Sequence, residues 1–142
     1  MILQSTTHCP SLYESLGAVC FCVFWAILFL QSGFDKITDR KGNLEWLIGH
    51  FSKSFLKGTV PLLLTTLTLF EIATGFVCIA AIVEIVWLKT FSLAQLGATL
   101  SAVSLLMLFF GQRIAKDYAG AATIAMYFLA AMVNLGMLCL SL

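Results

Sequence analysis

The chain has 142 residues, of which 61% are hydrophobic and 11% charged, with a net charge of +1 at pH 7 and a mean hydropathy of +1.00. Soluble domains carry about 25% charged residues, so this composition excludes an ordinary soluble domain and indicates a single-domain integral membrane protein over residues 1–142. The near-zero charge, with no basic patch interleaved with aromatics, excludes a nucleic-acid partner.

The first segment, Met1 to Glu14, has no Lys or Arg. Residues 15–33 form the first apolar run. They lack a basic leader, are longer than a signal-peptide core, and are followed by no small-residue cleavage motif. The run therefore reads as a retained span. Phe34 to Thr59 then leaves the hydrocarbon, opening with Asp35-Lys36 and Asp39-Arg40-Lys41. Gly42-Asn43 reads as a turn with Asn43 as N-cap. Leu44, Leu47, Ile48, Phe51 and Phe55 then fall at helical spacing, opposite Glu45, His50, Lys53 and Lys57. The spacing predicts an amphipathic helix over 44–57, too short to span, with Trp46 at headgroup level. It reads as an interfacial helix; the alternative is a lid over a pocket between spans.

The second, third and fourth spans are expected at 61–86, 91–111 and 118–140. Transmembrane strands would alternate over about 10 residues, and these runs do not alternate. The expected fold class is all-α: an integral membrane, four-helix antiparallel bundle with one interfacial helix after the first span. The first and third connections hold Lys36, Arg40, Lys41, Lys53, Lys57, Arg113 and Lys116, whereas the other side holds only Lys89. The positive-inside rule puts the basic connections in the cytoplasm and both termini outside.

Glu71 sits near the middle of the second span, where a charge costs about 3 kcal/mol on insertion scales. It must face protein or water. Thr68, Glu71, Gly75 and Cys78 share a helix face. Gly97, Ser101 and Ser104 form a small polar face on the third span. Thr123, Tyr127, Ala130 and Asn134 form another on the fourth. The expected polar centre joins Glu71 to Tyr127, Asn134, Ser101 and Ser104. Two readings of Glu71 remain: a hydrogen-bonded tie between helices, or a proton-handling or ligand-binding group. Glu84, near the outer end of its span, reads as interfacial.

Of the five cysteines, Cys9 precedes the first span, Cys20 and Cys22 lie in it, Cys78 lies in the second and Cys139 ends the fourth. All fall in or above the outer half of the membrane, an oxidising side in a Gram-negative cell. Cys20 and Cys22 point about 200° apart on a helix, so either is a better partner for Cys78 than for the other. Buried cysteine is also a common small apolar filler. No metal site is expected: His8 and His50 lie on opposite sides, and no CxxC or HxxxH spacing occurs. No Ser/His/Asp arrangement is present, so the chain does not read as catalytic alone.

Ser32-Gly33-Phe34-Asp35-Lys36 closes the first span in the pattern small-Gly-x-x-Lys. A polar segment and a Pro-led second span follow, and Glu71 to Gly75 reads Glu-x-x-x-Gly. In these motifs and in its four spans the chain resembles the DoxX-type family of small bacterial membrane proteins. The matching positions are Gly33, Lys36, Glu71 and Gly75; the cysteines are outside the pattern. The resemblance implies an inner-membrane location and an accessory role in a membrane redox system, linked to quinone, beside other membrane subunits. As part of an enzyme it would be an oxidoreductase subunit. No haem, flavin or iron–sulfur ligation pattern appears. Other classes the residues leave open are a small proton-coupled transporter and a scaffold subunit. Against the carrier, the spans lack paired Gly/Pro breaks.

Overall fold

A computed structural model of the chain describes residues 11–140. Helix α1 (Leu12–Thr38) opens with a capping box. Glu14 N donates to Ser11 Oγ at 3.2 Å, and Ser11 N donates to Glu14 Oε2 at 2.6 Å, so two otherwise orphaned N–H groups are satisfied. The helix does not stop at residue 33 but runs on to Thr38. Asp35 and Lys36 are therefore helical, and Lys36 lies one turn beyond Ser32.

Asp39 is the corner between α1 and α2 (Arg40–His50), closing the first and capping the second. Its Oδ1 accepts from Gly42 N at 3.1 Å, and a Cβ on Gly42 would overlap its carboxylate. Asn43 is not the cap. Its Nδ2 donates back to the carbonyls of Asp39 at 2.8 Å and Asp35 at 3.4 Å. The helix expected over 44–57 thus starts earlier and stops at His50. Ser54 breaks its continuation: Oγ donates to Phe51 O and accepts from Leu56 N, a local bond that competes with helix. A single 3-10 turn, Phe55–Gly58, follows.

Helix α3 (Val60–Leu88) has Pro61 in its first turn, where the missing N–H costs nothing. It ends at Lys89, which takes a left-handed conformation with φ 55°. Helix α4 spans Ser92–Ile114 and α5 spans Tyr118–Leu140. Asp117 caps α5, its Oδ1 accepting from Gly120 N at 2.9 Å. Helices α1, α3, α4 and α5 are each long and apolar enough to cross a membrane, so the chain is a multi-pass membrane protein. Helix α2, with 11 residues, is too short; a span needs about 20.

Helix α3 is central. It packs against α1 and α4, and α5 packs mainly on α4. Gly33 faces Ile72 and Gly75 faces Leu30, so α1 and α3 run in opposite directions. Leu93 N donates to Glu84 Oε2 at 2.7 Å, and Gln95 Nε2 donates to Leu138 O at 3.1 Å, which sets the same relation for α3–α4 and α4–α5. The core holds Cys22, Trp25, Phe29, Cys78, Ile85 and Leu105 with Ala81, Ala94, Ala98 and Ala131. These alanines let helix backbones approach, which is how apolar helices pack when solvent exclusion does not drive them. Large side chains such as Phe24, Ile27, Leu69 and Phe76 point outward.

Candidate functional site

The α1–α3 seam carries a charged cluster. Ser32 and Lys36 are four residues apart and share a face of α1. Opposite them, Glu71 is completely buried. Lys36 Nζ lies 2.9 Å from Glu71 Oε2 as an ion pair and donates a hydrogen bond to Oε1 at 3.1 Å. It also donates to Ser32 Oγ at 2.6 Å. Ser32 Oγ in turn donates to Glu71 Oε1 at 3.1 Å. Oε2 has the ion-pair contact but no bond of hydrogen-bond geometry. The cluster is net neutral and its bonds are charge-assisted, roughly twice as strong as neutral ones.

Two glycines let this seam close. A Cβ at Gly33 would stand 2.6 Å from Ile72 Cδ1, and one at Gly75 would overlap the Leu30 side chain. Gly33, Lys36, Glu71 and Gly75 thus come together, though they lie far apart in the chain.

Lys36 is 15% exposed, and its open side lines a cavity of about 300 Å³. That is the low end of the ~300–1,000 Å³ typical of small-molecule sites. The walls are apolar: Leu47, Phe51, Leu64, Leu67, Met107 and Leu108. Asn43, His50 and Gln112 supply the remaining polarity. Helix α2 covers the cavity without burying any of its own residues. Three side-chain bonds fasten it. Arg40 Nη2 donates to Thr65 Oγ1 at 2.7 Å, Asn43 holds the corner, and His50 Nε2 pairs with Gln112 Oε1 at 3.1 Å. Trp46 stacks on His50 with ring centroids 4.6 Å apart.

The expected partners of Glu71 lie elsewhere. Its hydrogen bonds go to α1, while Ser101 Oγ donates to Gly97 O at 2.8 Å. Ser104 is fully buried with no partner for its Oγ, and nothing in the structure explains it. Tyr127 packs near Phe24, with centroids 6.3 Å apart. Asn134 lines a second cavity at the other end of the molecule. The reason is the helix order. Helix α3 meets α1 on one side and α4 on the other, and α5 packs on α4 and touches α1 with little contact to α3, so its side chains do not meet Glu71. Glu84, expected at the headgroups, turns inward and caps α4, accepting from Thr90 Oγ1 at 2.8 Å and from Leu93 N.

Cys20, Cys22, Cys78 and Cys139 are free thiols. Cys22 and Cys78 are buried in the core, and Cys20 and Cys139 are exposed. His8 and Cys9 lie outside the described residues. The Ser32–Lys36 spacing was the available signal for the cluster: a lysine one turn past a span's serine can reach back into a membrane that already holds an unmatched carboxylate. Nothing in the sequence pointed to His50–Gln112 or Arg40–Thr65, because those pairs bridge separate helices. Comparison with family models, with curated proteins and with solved structures finds no match for this chain.

Proposed function

We propose that the chain is a DoxX-like accessory subunit of a membrane redox system, which holds a quinone in the cavity beneath α2. In this reading the four spans form an antiparallel bundle in a bacterial inner membrane. Helix α2 lies in the cytoplasmic interface, and both termini are periplasmic. The observation that carries the reading is the buried Lys36–Ser32–Glu71 cluster opening onto an apolar cavity of about 300 Å³.

Charge balance argues for the ligand class. One cation and one carboxylate already cancel, so a charged ligand would leave net charge in a poorly screened site. A neutral ring bearing carbonyl acceptors leaves none, and Asn43, His50 and Gln112 bring polar side chains to the cavity wall. The four residues of the DoxX-type motifs also meet at this seam. Because the sequence carries no haem, flavin or iron–sulfur ligation pattern, in this reading a partner subunit supplies the electrons.

One observation favours a second reading. Glu71 is wholly buried, yet Lys36 connects it to the cavity. A carboxylate reached through a single flexible lysine suits a proton-coupled carrier.

The test is gentle purification in native lipids, with mass spectrometry of co-purifying quinones and polypeptides. Glu71→Gln and the cavity-filling Leu67→Trp serve as controls. Quinone held by the parent and lost in both variants is the expected result. Partner polypeptides without quinone would move the reading to a scaffold subunit. Neither quinone nor partner, together with proton flux in liposomes that vanishes in Glu71→Gln, would establish the carrier instead.

A further inference from the structure

Helices α3 and α4 are in contact at one end of the molecule and stand apart at the other. A Cβ on Gly97 would lie 3.0 Å from Cys78 Sγ and 3.7 Å from Val77 Cγ1. The buried residues on this part of α4 are small: Ala94, Gly97, Ala98, Ser101 and Ala102. Small side chains let two helix backbones approach. Leu63 lies about four turns before Val77 on the same face of α3, and Gly111 about four turns after Gly97 on the same face of α4. Here the two faces no longer meet. A Cβ on Gly111 would touch Phe51 Cζ at 3.4 Å, from the cover, and no atom of α3. Both residues instead line the cavity beneath α2. Leu63 and Phe110 line it too and are exposed, one on each helix. The cavity therefore reaches the outer surface between α3 and α4.

Both helices are long and apolar enough to cross a membrane, so this opening gives onto lipid. One turn further in, Leu67 and Met107 line the cavity and are half-buried. The polarity sits elsewhere. Asn43 and His50 belong to α2, Gln112 to the last turn of α4, and Lys36 to α1, where Glu71 holds it. The cavity is thus polar under its cover and apolar toward the gap. A volume of about 300 Å³ is the low end for small-molecule sites, so a ligand with a long chain must leave the chain outside. Through the gap the chain passes straight into hydrocarbon. Past the exposed Trp46 of α2 it would pass into water or headgroups, at a cost of about 25 cal/mol for each Å² of apolar surface.

We propose that the ligand beneath α2 is a quinone with a long isoprenoid chain, which enters sideways from the bilayer and leaves its chain in the gap between Leu63 and Leu67 of α3 and Met107 and Phe110 of α4. The proposal rests on the quinone reading of the cavity and adds to it the class of quinone and the route of entry. Exchange of the ligand then leaves α2 in place, with its Arg40–Thr65 and His50–Gln112 bonds intact.

The test uses the full chain in nanodiscs of phosphatidylglycerol and phosphatidylethanolamine. Two probes are used: a dimethoxy-methyl-benzoquinone head alone, and the same head on a two-isoprene chain that ends in a diazirine. Irradiation and peptide mass spectrometry map where the chain lies in the parent protein. Crosslinks concentrated at Leu63, Leu67, Met107 and Phe110 are expected. Leu63→Trp narrows the gap at an exposed position; helicity and gel filtration check that it folds. Parent and variant are titrated in identical nanodiscs, so that partition of the chain into lipid cancels. Leu63→Trp should weaken the chain-bearing probe at least tenfold more than it weakens the head alone. Crosslinks on α2, or spread over all the lipid-facing helices, overturn the proposal, as does an equal effect of Leu63→Trp on both probes. In either case saturable binding of the head leaves the quinone reading standing. No saturable binding of either probe overturns both. A phospholipid retained in native mass spectrometry and lost in Leu63→Trp would give the gap to an acyl chain and likewise overturn the assignment.

Discussion

Lys36 reaches back across the α1–α3 seam to Glu71, its Nζ 2.9 Å from Oε2 and 3.1 Å from Oε1, while Ser32 bonds both partners. The two charges are not equivalent. Glu71 has no exposure at all, whereas the Lys36 side chain is 15% exposed along the cavity. A lysine with an open side can swing its ammonium toward water; a carboxylate at full burial has nowhere to turn.

That asymmetry sets the order of two substitutions. Removing one partner of a buried pair costs about 3–5 kcal/mol. Lys36→Met strands Glu71 and should reach that range. Glu71→Gln frees Lys36 to reorient and should cost less. The double variant should recover part of the Lys36→Met loss. Denaturant unfolding in mixed micelles measures all three, and a Glu71→Gln loss larger than that of Lys36→Met would refute the order.

The close α1–α3 approach makes a second prediction at Gly75. A Cβ there overlaps the Leu30 side chain and comes within 3.3 Å of the Leu30 backbone nitrogen. Gly75→Ala should therefore destabilise by about 1–3 kcal/mol. Gly49, on α2, has nothing within 4 Å of its added Cβ, so Gly49→Ala should be neutral or stabilising by up to about 1 kcal/mol through helix propensity. Thermal unfolding of the two variants side by side decides it; equal effects would remove the steric argument.

Glu84 acts as a cap in place of a headgroup contact. Glu84→Ala should cost about 1–2 kcal/mol, the range of a lost cap and its buried bonds. The loss should appear locally, as faster hydrogen exchange at Leu93 N. Unchanged exchange at Leu93 would return Glu84 to the interface.

Helix α2 rests on few contacts, and the His50–Gln112 bond ties its far end to α4. Gln112→Ala should raise hydrogen exchange across Arg40–His50 while α3 and α4 keep their protection. A global rise would mean that the bond supports the whole fold and not this cover alone.

Cysteine reactivity tests the core directly. In a Cys9→Ser background in detergent, N-ethylmaleimide should modify Cys20 and Cys139 ahead of Cys22 and Cys78, which it should reach only on unfolding. Fast labelling at Cys78 would contradict its burial.

Four membrane-length helices were legible from the chain because apolar length is a local property. It needs no knowledge of neighbours, only a count against bilayer thickness. The boundaries were less legible, because they depend on side chains that bond their own backbone. Asp39 caps where Asn43 was expected to, and Ser54 interrupts the helix expected over 44–57. Glu71 could be singled out from its cost alone, and glycine spacing marked where a helix would come close.

Which helix came close was a tertiary decision. The polar faces of α4 and α5 offered Glu71 serines, a tyrosine and an asparagine, and the sequence held no measure to rank them against α1. Packing ranked them. Helix α3 meets α1 through Gly33 and Gly75, and that register sets Lys36 opposite Glu71. By itself, the sequence determined a multi-pass helical protein with one carboxylate that must be answered. Only the tertiary structure decided that a lysine answers it, that a cavity opens beside the pair, and that Asn134 serves a different cavity at the other end. The physical reason is that hydropathy acts residue by residue along the chain, whereas charge pairing and cavities exist only between helices.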